Sequence, residues 1–479
     1  MTKLFVSAPP GGARDTGRQS TRVFKFGKRP RLASCRHLTF LALTAASLAI
    51  LPGCTKALRG QTPPSSPVGA AGASNTATTA GTPSVRIDLQ QAIQLALAHN
   101  HALEAARTTI PQSQAQEITA SLRPNPILLG DSLFVPLFSP SNLNSSTLDV
   151  ISEFDLGVSY LIERGHKRQA RIRAAKDQTA VTATTVKDDE RVLTFNVAQQ
   201  FIQVLLAKST LQFAQQDLAS FTNTVDIGQA QYKAGDISEG DFLKIKLQLL
   251  QFQTDVSSAQ VALVQAKASL RQFTGYDALP ANYDVVGNLN YVPIHLSLLD
   301  AEAKALQSRP DLLASKEGVT AADSQYALAK ANGKRDVTVQ ANYTHVSALN
   351  NISVFGSVEI PIFDRNQGEI ARTHFAITQA QETEQAASDQ VLTDVKSAYA
   401  AFQTNAQVVE LYQSGYLKEA QDSKDISQYA YHRGAASLLD FLDAERSYRA
   451  TQLAYLQALA SYMASVEQLR EAVGTRNLQ

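Results

Sequence analysis

One segment of this 479-residue chain occurs twice, with the copies 199 positions apart. The first copy spans Tyr232–Gly275 and the second Tyr431–Gly474, and both carry a Tyr-x-x-Gly pair, an Asp-Phe-Leu triplet, an Arg and a closing Gly at matched positions. Each copy also has nine seam positions spaced alternately by three and four residues, which is typical of a coiled coil. These are Phe242, Ile245, Leu249, Phe252, Val256, Ala259, Leu263, Ala266 and Leu270, then Phe441, Ala444, Tyr448, Thr451, Tyr455, Ala458, Tyr462, Ser465 and Leu469. An internal repeat predicts a duplicated architecture.

The remaining segments repeat in the same order. Each half reads as a helix, two strands, a very long helix, a turn and a second long helix, so we assign residues 87–296 to one repeat and 297–479 to the other. In the first half we predict a helix over 87–122, strands over 127–138 and 150–162, a helix over 167–233, the heptad helix to 275 and a connector over 276–296. In the second half we predict a helix over 299–331, strands over 336–345 and 352–362, and a helix over 369–433 before the second heptad segment.

Three of the predicted strands alternate between apolar and polar residues, which indicates that one face of each is buried or in lipid. The segment 127–138 alternates poorly but is strand-like, and we expect it to be the hairpin partner of 150–162. From Val150 to Ile162 every even position except Ser152 is apolar, whereas the odd positions include Glu153 and Asp155. Their length suits a strand that crosses an outer membrane. Two water-exposed hairpins on a helical body are the alternative.

The long helices exclude an ordinary globular domain. Only 17 prolines and 24 glycines are present and Trp is absent, a composition that favours helix. At 1.5 Å per residue, the helix predicted over 167–233 is roughly 100 Å long.

The N-terminal region predicts export. Residues 1–53 carry a basic segment and then an apolar run, Leu38–Leu51, which is too short to be a stable bilayer-spanning helix. The run ends in Leu-Pro-Gly-Cys54, which resembles a bacterial lipobox and predicts lipidation of Cys54. A cleaved signal with an incidental cysteine is the alternative. Residues 54–86 are rich in Ser, Thr, Ala, Gly and Pro and predict a flexible tether.

Several classes of function are disfavoured by what the sequence contains. The two cysteines, Cys35 and Cys54, cannot build a disulfide framework or a cysteine metal site in the body of the chain. We find no phosphate-binding glycine loop, nucleophile elbow or metal-ligand cluster, so we expect no cofactor, no resident metal and no enzymatic activity. From Cys54 onward, acidic residues outnumber basic ones, 42 to 35, which argues against a nucleic-acid partner.

Four strands cannot close a barrel, and an open edge in lipid would leave backbone groups unpaired. If these strands lie in a membrane, the protein must therefore oligomerise to close the sheet. A second apolar stripe on the last helix also predicts neighbours on both sides of that helix.

Over residues 87–475 the chain resembles the TolC family of bacterial outer-membrane channel proteins, on the duplicated order and the landmarks given above. The resemblance implies a mainly α protein with a small β part. Homotrimers in that family form a twelve-stranded outer-membrane β-barrel, four strands per protomer, above a periplasmic α-barrel of long helical hairpins. It also implies outer-membrane lipid, a periplasmic adaptor (membrane fusion protein) and an inner-membrane pump of the resistance–nodulation–division type as partners. The expected function is passive export of small molecules or metal cations.

Two junctions resemble the heavy-metal cation efflux branch of that family. They are the sequence from Pro361 to Ala371, Pro-Ile-Phe-Asp-Arg-Asn-Gln-Gly-Glu-Ile-Ala, and the sequence Gly165-His-Lys-Arg168.

The resemblance also suggests a gate at the periplasmic tip. Asp440 and Asp443 match the carboxylates that line the constriction, and in a trimer they would form two acidic rings that select cations. A solvated acidic helix start is the alternative. Tyr431 and Asp241 match residues that make closing contacts between hairpins. Ala436 stands where the family pattern has an arginine, so a lock of that kind is absent or rebuilt, with Arg433 as a candidate.

Two further hypotheses stay open at this point. A periplasmic coiled-coil adaptor or structural lipoprotein would explain the heptads and the lipid anchor, but not four amphipathic strands. A hydrolase that uses Asp440 and Asp443 would need a pocket around them.

Overall fold

The computed structural model describes residues 85–133, 138, 141, 144–146, 153–347 and 349–478. The first half comprises β1 (Arg86–Ile87), α1 (Leu89–His99), α2 (His101–Arg107), α3 (Thr109–Ser121), β2 (Ile127–Leu133), β3 (Glu153–Ile162), α4 (Lys167–Ala234), α5 (Glu239–Thr274) and β4 (Asp284–Val285). The second comprises α6 (Leu298–Ser308), α7 (Pro310–Asn332), β5 (Val337–Val346), β6 (Leu349–Val358), α8 (Gln367–Leu411), α9 (Leu417–His432) and α10 (Leu438–Val473). The predicted export signal, Cys54 and most of the predicted tether lie outside the described residues.

The first long helix is continuous, as predicted. α4 contains 68 residues and no proline, so it is roughly 100 Å long. The expectation of an equally unbroken helix over 369–433 is wrong. A π-helical segment, Tyr412–Tyr416, separates α8 from α9, and Gly415 within it has φ 145°, a conformation that L side chains rarely adopt.

Three shorter predictions also need correction. The helix expected over 87–122 is three helices. Asn100 ends α1 and caps α2 by accepting a hydrogen bond from the amide of Leu103 (3.0 Å), and Thr108 separates α2 from α3. The helix expected over 299–331 breaks at Arg309, since the following residue, Pro310, begins a new helix. β1 and β4 pair in parallel and were not predicted, and Arg86 of β1 lies inside the predicted tether.

The two predicted hairpins form one antiparallel sheet with the strand order β2-β3-β5-β6. β3 and β5 pair over their whole length, from Glu153 opposite Val346 to Ile162 opposite Val337. The duplicated halves therefore join at the centre of the sheet, and β2 and β6 are its edges.

The register confirms the alternation read from the sequence, because directly opposed residues share a face. Mostly apolar residues share one face of β3, β5 and β6: Phe154, Leu156, Val158, Tyr160, Ile162, Val337, Val339, Ala341, Tyr343, Ile352, Val354 and Val358. β2 is the exception, since Leu128 lies on this face but Ile127, Leu129 and Leu133 lie on the other. The opposite face carries mostly polar residues: Asp131, Glu153, Asp155, Ser159, Thr338, Gln340, Asn342, Thr344, Asn351, Ser353 and Ser357.

The helices pack side by side below the sheet. α4 lies along α3, α5, α7 and α10, and α8 lies along α7 and α10. All eighteen predicted seam positions on α5 and α10 are buried or half-buried, which confirms the two seams. The main core includes Val197, Leu270, Val395 and Leu469, from four different helices. The two long helical hairpins end in turns at 235–238 and 433–437, and we call these ends the tips. A separate apolar cluster lies near the tips.

No helix within the described ranges has a span long and apolar enough to cross a lipid bilayer.

Candidate functional site

The two helical hairpins end in turns of the same construction. Gly235 follows α4 with φ 84°, and Gly434 follows α9 with φ 73°. In both turns the amide after this glycine donates to the carbonyl five residues earlier, at 2.9 and 2.8 Å. A left-handed glycine permits this closure at a helix C-terminus. The repeated landmark of the sequence is therefore a repeated helix end.

Each turn then starts the next helix with the same serine–aspartate pair. The Ser238 hydroxyl accepts from the amide of Asp241 (3.1 Å) and donates to its carboxylate (2.9 Å). Ser437 does the same for Asp440, at 3.2 and 2.7 Å, and its own amide also donates to that carboxylate. Hydrogen bonds from Ser437 lower the pKa of Asp440, and hydrogen bonds from Lys244 and Ser238 lower that of Asp241. Both carboxylates are charged at neutral pH.

Asp440 and Asp443 are exposed, and their spacing of three residues places them on one side of α10 near its start. Asp443 is 3.8 Å from Arg446, and both side chains are largely in solvent. Such a surface pair holds its carboxylate weakly. Asp440 is thus part of a solvated acidic helix start, as in the alternative interpretation, and it also completes a capping box with Ser437. Its exposure is equally compatible with lining a pore.

A cavity of about 700 Å³ lies between the two tips. Tyr431, Asp241 and Ala436 are among its walls, so the structure brings together the two residues predicted to make closing contacts. Of the described residues that line this cavity, none is Asp440 or Asp443. The two carboxylates predicted for the gate therefore do not line this cavity.

Tyr431 is only 7 % exposed, and its hydroxyl makes no hydrogen bond to any residue that the structure describes. Burial raises the pKa of Tyr431, and the negative charge of Asp241 raises it further. A buried hydroxyl without a partner costs about 1–3 kcal/mol. The single protomer therefore leaves Tyr431 unsatisfied.

Arg433, the candidate for a rebuilt lock, is exposed and stacks on a neighbouring ring within the protomer. Its guanidinium carbon lies 5.4 Å from the ring centroid of Tyr429. This is the geometry of a cation–π contact.

Four aromatic rings tie the tip helices together in one stack. The Phe252 and Phe221 centroids are 4.4 Å apart, Phe221 and Phe441 are 6.5 Å apart, and Phe441 and Tyr431 are 5.4 Å apart. The planes of adjacent rings differ by 14°, 3° and 8°. Because the rings come from α5, α4, α10 and α9 in that order, one stack links both hairpins.

Sequence reasoning missed a group of buried charges beside this stack, chiefly Asp217, Lys424 and Glu445. A signal was present, because Asp217 shares the three-four spacing of Ala214 and Phe221. Glu445 likewise continues the spacing of Leu438 and Phe441. An acid on an apolar stripe indicates a buried ionisable group.

The described residues contain no cluster of three or more His, Cys, Asp or Glu side chains that could hold a metal ion.

Residues 92–276 and 303–475, more than half of the chain, match the family described as "Outer membrane efflux protein". The two matched segments fall in the two predicted repeats.

Individual relatives give a narrower comparison. The cobalt-zinc-cadmium resistance protein CzcC of Cupriavidus metallidurans is 23 % identical over 375 residues, which cover 78 % of this chain and 86 % of the relative. The probable outer membrane lipoprotein SilC of Salmonella typhimurium is 24 % identical over 59 % of this chain and 63 % of its own length. The cation efflux system protein CusC of Escherichia coli is 26 % identical over 54 % of this chain and 59 % of its own length.

Solved structures share the fold. A CusC crystal structure superimposes with a TM-score of 0.67 at 22 % identity and covers 81 % of this chain and 92 % of that chain. The Campylobacter jejuni CmeC outer membrane channel gives a TM-score of 0.68 at 17 % identity, over 81 % of this chain and 85 % of that chain.

Proposed function

The chain belongs to the outer membrane efflux protein family and is an exit duct of the outer membrane, and from this premise we propose that it exports metal cations as the outer-membrane component of a three-part pump. In this proposal the cargo passes through unchanged. The protein's own residues supply a membrane wall, a tunnel wall and a gate.

The observation that carries the proposal is the two-sided sheet above two long hairpins. Apolar side chains on one face are open to solvent in the protomer; for example, Ile352 is 82 % and Val354 is 71 % exposed. Such a face on a folded protein needs a partner or a lipid. The opposite, mostly polar face then lines an aqueous passage.

The edges of this sheet support a homotrimer. Among the strands that the structure describes, β2 and β6 each pair on one side only, so each has a free edge. In lipid a free edge leaves unpaired amides and carbonyls. If β6 of one protomer pairs with β2 of the next, three copies close twelve strands, within the size range of bacterial barrels.

Cation cargo is supported by the named relatives and by charge at the tip. The relatives include a cobalt-zinc-cadmium resistance protein and a cation efflux system protein, and the two strand-to-helix junctions resemble the heavy-metal branch. In a trimer, Asp440 and Asp443 form two acidic rings at the start of α10. Rings of carboxylates favour cations over anions.

The closing contacts of the gate are assigned to Tyr431 and Asp241, which line the same cavity. The unsatisfied hydroxyl of Tyr431 supports a contact that is completed by a neighbouring hairpin. Cys54 anchors the mature chain in the membrane through a lipid. A periplasmic adaptor and an inner-membrane pump, of the resistance–nodulation–division type, deliver the cargo to the tip.

The test is single-channel recording of the detergent-purified protein in a planar lipid bilayer, beside a gel of unheated and heated samples. We expect discrete cation-selective steps and a trimer band that heating converts to monomer. Anion-selective steps contradict the cation proposal, and a monomer under gentle conditions contradicts the shared barrel. If a folded oligomer is silent both as wild type and with Asp440 and Asp443 replaced by Asn, the gated duct itself is contradicted.

A further inference from the structure

A cluster of five charged side chains joins all four tip helices beside the aromatic stack. Asp217 comes from α4, Asp255 from α5, Lys424 from α9, and Glu445 and Arg449 from α10. Asp217 and Glu445 are 4 % and 5 % exposed, and Lys424 is 8 % exposed. Carboxylates are rarely buried this deeply unless they are paired.

The cations in the cluster satisfy the carboxylates incompletely. Nε of Arg449 lies 2.5 Å from Oδ2 of Asp217, but neither atom makes a well-directed hydrogen bond. The other end of the guanidinium donates to Asp255. Nζ of Lys424 is 3.6 Å from Oε2 of Glu445, too long for a normal hydrogen bond. Each carboxyl of the Asp217–Glu445 pair thus lies near a positive charge but accepts no well-directed hydrogen bond from it.

Aromatic rings hold both cations in place. Arg449 lies 4.2 Å from the ring centroid of Phe252, a member of the stack, and Lys424 lies 4.4 Å from that of Tyr448. Both distances suit cation–π contacts. Each cation is therefore positioned by a ring as well as by a carboxylate.

The count of charges leaves room for one proton. With three carboxylates and two cations fully ionised, the cluster would carry one net negative charge in a poorly solvated place. One added proton makes the cluster neutral. It also supplies the donor that two adjacent carboxyls otherwise lack, as in other carboxyl pairs that share a site.

The pKa shifts of Glu445 and Asp217 follow from their burial and from their charged neighbours. Burial, the charge of Asp217 and the hydrogen bond to Asp217 together raise the pKa of Glu445 to about 7, against the attraction of Lys424. Burial also raises the pKa of Asp217, although Arg449 and the bond from Glu445 oppose this. The added proton is therefore shared by the Asp217–Glu445 pair.

We propose that Asp217 and Glu445 form a proton-binding site that fastens the two hairpins of a protomer to each other, and that release of this proton to water loosens the start of α10. The proton site depends only on the cluster itself. Its effect on the gate rests on the proposed function, since Glu445 follows Asp440 and Asp443 on α10.

The neighbouring helix and the neighbouring ionisable groups are compatible with a proton-dependent contact between the hairpins. α9, which carries Lys424 and Asp425, is separated from α8 by the π-helical segment around Gly415, so it has a hinge of its own. The other ionisable neighbour is Tyr448, whose pKa is raised by burial and then by Asp217, Glu445 and Asp425. Tyr448 stays neutral while the carboxyl pair titrates.

The sign of the pH effect is fixed by linkage. A carboxyl whose pKa is raised on folding binds more protons in the folded state, so its stabilisation is present below the unfolded value and is lost as pH rises through the folded value. The unfolded reference for Glu445 is 4.5 and the folded value is about 7. The hairpins are therefore fastened at mildly acidic pH and loosened above neutrality.

The proton site is tested by infrared titration of the detergent-purified full chain in the protonated-carboxyl stretching region. In wild type we expect a band that disappears with a midpoint near pH 7. The band should be missing in Glu445→Gln and unchanged in the matched control Glu419→Gln, whose side chain is exposed on α9. Asp217→Asn, which removes the acceptor, should shift the midpoint. The proposed site is overturned if wild type shows no such band, or if the band persists in Glu445→Gln.

The link to the gate is tested by bilayer recordings at about pH 5 and about pH 9, values that bracket the titration. We expect open probability to rise severalfold with pH in wild type and Glu419→Gln. In Glu445→Gln, which keeps a neutral donor toward Asp217, it should stay low at both pH values. A pH response that survives in Glu445→Gln overturns the link. If no variant conducts at any pH, the exit-duct function has failed, whereas the infrared titration still decides the proton site.

Discussion

The ring of Tyr431 lies parallel to the ring of Phe441, with centroids 5.4 Å apart and 8° between their planes. Tyr431 is in the last turn of α9 and Phe441 is in the first turn of α10. Their contact therefore packs the end of α9 against the start of α10, across the turn that joins them. Phe221 continues the stack on the other side of Phe441, from α4 of the other hairpin. Phe441 is therefore the ring that joins the two hairpins.

Phe441→Ala should loosen both tips at once. Phe441 is 1 % exposed, and emptying a buried Phe site typically costs about 3–5 kcal/mol. We expect faster hydrogen exchange and faster proteolysis in both turns, near 235–238 and 433–437. Leu439→Ala is the matched control, because Leu439 is two residues away but 75 % exposed. Equal effects of the two variants would mean that the stack does not hold the tips.

The two roles of Asp440 can be separated through its capping partner. Ser437→Ala removes the N-cap hydroxyl and keeps the carboxylate, so it should weaken the start of α10 by about 1 kcal/mol and leave ion selectivity intact. Asp440→Asn combined with Asp443→Asn removes two negative charges per protomer. This pair should raise conductance and lower cation selectivity, measured as a reversal potential across a salt gradient. Wild-type currents in the double variant would exclude both residues from the gate.

Much of the fold could be predicted because its signals are local. Alternation along β3 and the three-four spacing along α5 and α10 repeat over many residues, and the register and burial match both patterns. Gly415 gave no comparable signal, since one glycine in a helical pattern is compatible with continuation or with a break. β1 and β4 are two residues long, so neither can show a period.

The site was predicted less completely, for a physical reason. Tyr431 and Asp241 line one cavity, but the sequence could place them there only through the family resemblance, because they are 190 positions apart. Asp217 and Glu445 sit on apolar stripes, and an isolated acid on a stripe does not reveal its partner. Their pairing depends on how α4 packs against α10, and helix packing is not encoded by the spacing within one helix.

Tyr431→Phe tests the closing contact without disturbing the stack. The ring stays, and only a hydroxyl that has no hydrogen-bond partner within the described protomer is removed. If the hydroxyl bonds to a neighbouring hairpin in the closed trimer, its loss should raise open probability in bilayer recordings. The thermal stability of the tip should not fall. An unchanged open probability would show that the hydroxyl makes no closing contact.

Cys54→Ser tests the lipid anchor. Only a thiol at this position can accept the predicted lipid, so the variant should lose incorporation of radiolabelled palmitate in cells. Cys35→Ser is the control, because Cys35 lies inside the predicted signal and should leave incorporation unchanged. Equal labelling of wild type and Cys54→Ser would contradict the lipobox.

Asp336→Asn should weaken the junction where the two halves meet below the sheet. The Asp336 carboxylate accepts from Nζ of Lys167 (2.7 Å) and from the amide of Arg164 (2.9 Å), and the two ion-paired side chains are only 20 % and 11 % exposed. Losing a charged, largely buried hydrogen bond costs about 2 kcal/mol. We expect faster hydrogen exchange at 163–168 and a lower temperature for conversion of trimer to monomer. The control is Glu369→Gln, which breaks an exposed pair with Arg372 and should change little.

The pH dependence of the same variant gives a second, independent check. Burial opposes ionisation of Asp336, but the hydrogen bonds from Lys167 and from the amide of Arg164 outweigh it and lower its pKa. A carboxyl whose pKa is lowered on folding stabilises the protein above its unfolded value, 3.8, and loses that effect as pH falls. Wild type and Asp336→Asn should therefore differ at neutral pH, and the difference should shrink as pH falls below about 4 and vanish only below the folded pKa of Asp336. A difference that persists undiminished in acid would mean that the substitution acts through packing and not through the charge of Asp336.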